Sequence, residues 1–140
     1  MSIVLGYDES PGARRALGLA IDLAGKLEEP LVLVYGAAPP GVVGEEAGEH
    51  ARALTEIGRT ALAHAVTEAE AAGVTTVVEV VAEKPVPALL AAGDRHDARV
   101  IVVGTYGESP LKGAFLGSVA YKLLHLSTRP VLCVPADPAA

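Results

Sequence analysis

Short runs of Val, Ile and Leu alternate along this chain with segments whose apolar residues recur every three or four positions. The first pattern marks buried strands, the second amphipathic helices. Ile3–Tyr7 is an apolar run ending at Asp8 and predicts a first strand. Ser10-Pro11 follows, where serine can cap a helix and proline fits its first turn. Ala13, Ala16, Leu17, Ala20, Leu23, Ala24 and Leu27 then keep helical spacing until Pro30 stops it. Leu31–Tyr35 predicts a second strand. Ala37–Gly48 holds two prolines and three glycines and reads as a loop. Glu49–Ala72 predicts a long amphipathic helix that Gly73 ends. Thr75–Ala82 is rich in β-branched residues and predicts a third strand. Pro85–Ala92 predicts a short helix, Val100–Val103 a fourth strand, Ser118–Leu126 a last helix and Val131–Val134 a fifth strand.

Strands that alternate with helices imply an α/β fold with a parallel sheet and helices on both faces. Right-handed crossovers narrow the topology to a few doubly wound sheets. No repeat or linker divides the chain, so a single domain over residues 1–140 is expected.

Composition sharpens this picture. Half of the chain is hydrophobic but only 4% is aromatic, so the core is expected to be Val, Leu, Ile and Ala, as in covered parallel sheets. The net charge is −6 and no cluster of Lys and Arg stands out, which argues against nucleic acid as a partner. The longest apolar candidate, Val77–Ala92, is interrupted by Glu79, Glu83, Lys84, Pro85 and Pro87, which argues against a membrane partner. Met1–Gly6 lacks the basic start of a signal peptide. The one cysteine, Cys133, sits in an apolar run between Pro130 and Pro135 and reads as a buried small hydrophobe. Together these features point to the cytoplasm.

The candidate chemistry lies in Gly104-Thr105-Tyr106-Gly107, followed after nine residues by Gly117-Ser118. The stretch begins at the end of the fourth strand and finishes at the start of the last helix. Glycines there let the backbone turn and approach a ligand. The free amides of Ser118 and Val119, aided by the helix dipole, suit a phosphate. The plainer alternative is a glycine-rich connection with Ser118 as a helix cap. Neither a P-loop nor a GxGxxG fingerprint is present. The four histidines, His50, His64, His96 and His125, form no HExxH pair, so no metal site is expected. No GxSxG elbow occurs, and no catalytic residue is assigned.

The spacing Gly104-x2-Gly107-x9-Gly117-Ser118 resembles the ATP-binding signature of the universal stress protein family. The likeness extends to Val4–Ser10 as the opening strand with its acidic residue, to Val100–Gly104 as the fourth strand, and to Ser127–Pro135 as the closing strand. The resemblance implies an open five-stranded sheet of order 3-2-1-4-5, with a ligand crevice between strands 1 and 4. It implies that Asp8 accepts hydrogen bonds from adenosine and that the backbone of Tyr35 and Gly36 meets the adenine edge. Gly104, Gly107, Gly117, Ser118 and Val119 would surround the ribose and phosphates. For Asp8 the residues alone leave a second reading open, capping of the following helix together with Ser10. The ligand implied is ATP, with Mg2+. Three departures stand out: Tyr106 where histidine is common, Glu83 where glycine is common, and Glu108 where a basic residue is common. A carboxylate at Glu108 repels the triphosphate unless a metal intervenes or Lys112 compensates. The resemblance also implies a homodimer paired through Val131, Leu132, Cys133 and Val134.

The expected function is thus a nucleotide-binding regulatory module of a stress response. Two alternatives differ in class: a slow ATPase or other adenine-nucleotide-processing enzyme, and an interaction module that keeps the fold without the ligand.

Overall fold

The structure, a computed structural model, describes residues 1–38, 44–105 and 116–136. Nine elements alternate along the described residues: β1 (Ser2–Gly6), α1 (Pro11–Leu27), β2 (Leu31–Gly36), α2 (Glu45–Ala71), β3 (Thr76–Val81), α3 (Pro85–Arg95), β4 (Ala98–Gly104), α4 (Ser118–Leu126) and β5 (Val131–Val134). The strands form one parallel sheet of order β3-β2-β1-β4-β5. This is the expected doubly wound α/β architecture.

The sheet divides the apolar residues into two layers. Ile3, Leu5, Leu31 and Leu33 face α1 and α2, where Leu17, Leu62 and a row of alanines meet them. Val4, Val32, Ile101 and Val103 face α3 and α4, against Leu89 and Leu123. Alternate residues of one strand point to opposite faces, so a strand covered on both sides must be apolar throughout. That is why the central strands β1 and β2 read as nearly unbroken Val, Ile and Leu runs, while the edge strand β3 admits Glu79.

Local chemistry sets most element ends. Ser10 is the N-cap of α1 and its Oγ accepts from the Ala13 amide at 3.3 Å. At the end of α2, Gly73 takes φ +74°. Its amide and that of Val74 donate to the carbonyls of Glu70 and Ala69, which satisfies two of the helix's last acceptors.

Several expected boundaries move by a residue or two, and two move further. α2 begins at Glu45, inside the stretch expected to be loop, because Gly44 at φ +83° turns the chain there. α3 runs past Ala92 to Arg95. A Cβ on Gly93 would lie 3.2 Å from the Ile101 side chain, so this glycine continues the helix where it lies closest to β4.

Candidate functional site

α1 and α2 cover one face while α3 and α4 cover the other, so the helices leaving β1 and β4 diverge. Open α/β sheets bind ligands at such a point, beyond the carboxyl ends of the strands. A cavity of about 390 Å3 lies there. That is within the range of about 300–1,000 Å3 common for small-molecule sites.

The cavity is built from strand ends. β1 contributes Gly6 and the Tyr7-Asp8 exit, β2 contributes Val34, Tyr35 and Gly36, and β4 contributes Val103 and Gly104. Helix starts complete it, with Ser10 and Ala13 from α1, Pro85 and Leu89 from α3, and Val119 from α4. Five of the predicted site residues therefore meet in one place: Asp8, Tyr35, Gly36, Gly104 and Val119. Gly117 and Ser118 stand at the start of α4, with Gly117 as its N-cap. They do not line the cavity among the described residues. The Gly117 amide donates to the Thr105 carbonyl at 2.6 Å, which fixes the start of α4 against the end of β4. Gly107 and Lys112 lie outside the described residues, as do Tyr106 and Glu108.

Asp8 supplies the carboxylate. Its Oδ1 accepts from the Ser10 amide at 3.0 Å and from the Ser10 hydroxyl at 2.6 Å. Ser10, not Asp8, caps α1, so Asp8 contributes to the cap only by orienting that hydroxyl. Its Oδ2 meets no donor among the described residues, and Asp8 lines the cavity.

The glycines carry a different lesson. A Cβ on Gly104 would lie 2.8 Å from the Gly12 carbonyl carbon and 3.1 Å from the Ala13 amide. A Cβ on Gly36 would lie 2.9 Å from both Ala88 Cβ and the Glu83 carbonyl. The space that each glycine leaves is filled by the start of a helix. These glycines let α1 and α3 close onto the strand ends, and the cavity is a consequence of that packing.

Sequence reasoning missed Ile57, Pro85 and Leu89. Ile57 lies on α2, is 56% exposed, and lines the cavity. An apolar residue on a solvent-facing helix surface could have signalled it. Tyr7, also part of the cavity wall, is buried, and its hydroxyl pKa is raised, first by burial and then by the carboxylates of Glu9 and Glu68, while Arg14 opposes them. Glu9 holds a left-handed φ of +61° and its carboxylate pairs with His64 of α2.

The sequence profile of the universal stress protein family matches residues 1–135. This chain belongs to the universal stress protein family. Universal stress protein Rv2028c of Mycobacterium tuberculosis is 34% identical over 137 residues, covering 95% of this chain and 47% of its own length. The chain spans about half the length of the curated relatives it matches. Among solved structures, a protein of this family from Burkholderia pseudomallei is 30% identical, with a TM-score of 0.76 and 96% of each chain covered. A universal stress protein in complex with cAMP is 28% identical, with a TM-score of 0.77 and 98% of each chain covered. No described helix is long and apolar enough to cross a membrane.

Proposed function

We propose that this universal stress protein binds ATP, together with Mg2+, in the cavity between the ends of β1 and β4, as a nucleotide-dependent regulatory module of a stress response. The observation that carries the reading is the half-engaged carboxylate of Asp8 in a cavity at the point where the helices diverge. A carboxylate oxygen with no donor among the described residues, beside an apolar wall, suits a ribose hydroxyl next to a base. A similar family member is bound to cAMP, which supports an adenine nucleotide as the ligand class.

In this reading Asp8 accepts from the ribose, and the backbone of Tyr35 and Gly36 meets the adenine edge. The ribose and phosphates run past Gly104 toward Gly117, Ser118 and Val119. No group among the described residues accepts from the Ser118 and Val119 amides, and the positive end of α4 favours an anion there. Gly107 and Lys112, which lie outside the described residues, are assigned to the phosphates from the sequence alone. Among the described residues no carboxylate or histidine cluster would hold Mg2+, so the ion would arrive with the nucleotide and offset its phosphate charge. Residues 1–140 form one domain of the family, which acts in the cytoplasm, a reducing setting that suits the free Cys133. It pairs as a homodimer through Val131–Val134 at the β5 edge.

The test is calorimetric titration of the parent and Asp8→Asn with ATP, ADP, AMP and cAMP. Asparagine keeps an oxygen for both Ser10 donors, so α1 stays capped while an amide donor replaces the acceptor that faces the cavity. The parent is expected to bind ATP most tightly, and Asp8→Asn to lose about 10- to 100-fold with an unchanged circular dichroism spectrum. Equal affinity of parent and variant rules out this site.

A further inference from the structure

We infer that His64 is a positioning residue for this cavity, acting through Glu9 and making ligand affinity depend on pH. The inference rests on the nucleotide reading and adds its regulation.

Three observations meet here. First, Glu9 sits between Asp8 and Ser10, the two residues that form the polar corner of the cavity, and takes φ +61°. A non-glycine side chain holds that conformation only where its surroundings favour it. Second, the Glu9 carboxylate pairs with the His64 ring nitrogen Nδ1 across 55 positions of sequence. The contact ties the β1–α1 turn to α2. Third, His64 lies seven residues, two helical turns, from Ile57, which puts both on one face of α2. Ile57 lines the cavity. The pair therefore joins the turn that carries Asp8 to the helix that carries the cavity's outer apolar residue.

Histidine is the side chain whose charge changes between about pH 5 and 8. Glu9 on the turn touches His64, and Glu68 stands one helical turn further along α2. Around the neighbouring Tyr7 hydroxyl, the carboxylates of Glu9 and Glu68 face the one guanidinium of Arg14. A protonated His64 holds Glu9, and with it the turn that carries Asp8, more firmly than a neutral one. This favours binding at lower pH. The His64 side chain is 65% exposed and that of Glu9 29%, so solvent keeps the effect modest.

The experiment compares ATP affinity of the parent, His64→Gln and His64→Lys at about pH 5.5 and pH 8. Taking each variant's ratio between the two pH values against the parent's cancels titration of the ATP phosphate itself. The parent is expected to gain about two- to fivefold at the lower pH relative to His64→Gln. His64→Lys, charged at both values, should hold the tighter affinity throughout. A structural histidine would give no such rescue by lysine. The same three proteins are followed without ligand by amide hydrogen exchange over residues 57–65, corrected for the intrinsic effect of pH. The parent should be better protected at the lower pH, and His64→Gln should not. Equal pH ratios in parent and His64→Gln, or exchange that ignores the substitution, overturn the inference. Pairing seen by exchange in a protein that binds no ATP at either pH overturns the nucleotide reading, and with it the role of His64 in binding.

Discussion

At the scale of single residues, the glycines at strand ends serve packing before they serve a ligand. Gly104 is the sharpest case. The atoms that a Cβ there would meet belong to the backbone of Gly12 and Ala13, and backbone cannot rotate out of the way. Gly104→Ala is expected to destabilise the protein by about 1–3 kcal/mol through this clash. Gly18, in α1, is a matched control, because a Cβ there meets nothing within 4 Å. Gly18→Ala should gain up to about 1 kcal/mol from helix propensity. Urea unfolding of both variants checks the pair, and an unaffected Gly104→Ala would show that α1 does not rest on that position. Cys133 behaves as its apolar setting dictates. It packs partly buried against the α3 and α4 layer, and burial pushes its thiol pKa up, away from reactivity.

At the scale of elements, the exposed edge of the sheet at β3 is pinned to the end of α3 by Glu79. Arg95 donates to both carboxylate oxygens, at 2.9 and 2.8 Å, and His96 Nε2 lies 3.2 Å from Oε1. Partial burial pushes the Glu79 carboxyl up, but hydrogen bonds and charge from Arg95 and His96 outweigh it and hold its pKa below the ordinary value. The sign follows from linkage. A carboxylate whose folded pKa lies below its unfolded value of about 4.3 stabilises the fold above that pH. The contribution disappears as the pH falls through the folded value. The parent should therefore lose stability relative to Glu79→Gln as the pH drops from about 5 to 3. Urea midpoints across that range measure the difference, and parallel curves for the two proteins would refute the assignment.

At the scale of the whole molecule, the two sheet edges differ. β3 carries the Glu79 clamp, while β5 presents Leu132 at 41% exposure, and Leu124 and Tyr121 of α4 are also exposed. An apolar edge strand with unpaired backbone groups invites another strand, and a two-fold contact uses the same patch on both copies. The proposed homodimer predicts sedimentation as a dimer at micromolar concentration and a shift toward monomer, or loss of solubility, for Leu132→Lys. A parent that sediments as a monomer well above cellular concentrations overturns it. The sequence by itself determined the elements, because strands buried on both faces must be apolar throughout and helices must repeat every three to four residues. It also determined the order of parts and the Asp8 and Gly104 ends, since turn and cap chemistry is local. Its resemblance to a family supplied the strand order, which the structure bears out. The start of α2 escaped it, because Gly44 and Gly48 are adjacent punctuation marks and only packing decides which one ends the loop. Ile57, Leu89 and the Glu9–His64 pair were decided by the tertiary structure alone. Each joins segments far apart in the chain, and a linear pattern records which face a residue occupies but not what stands opposite it.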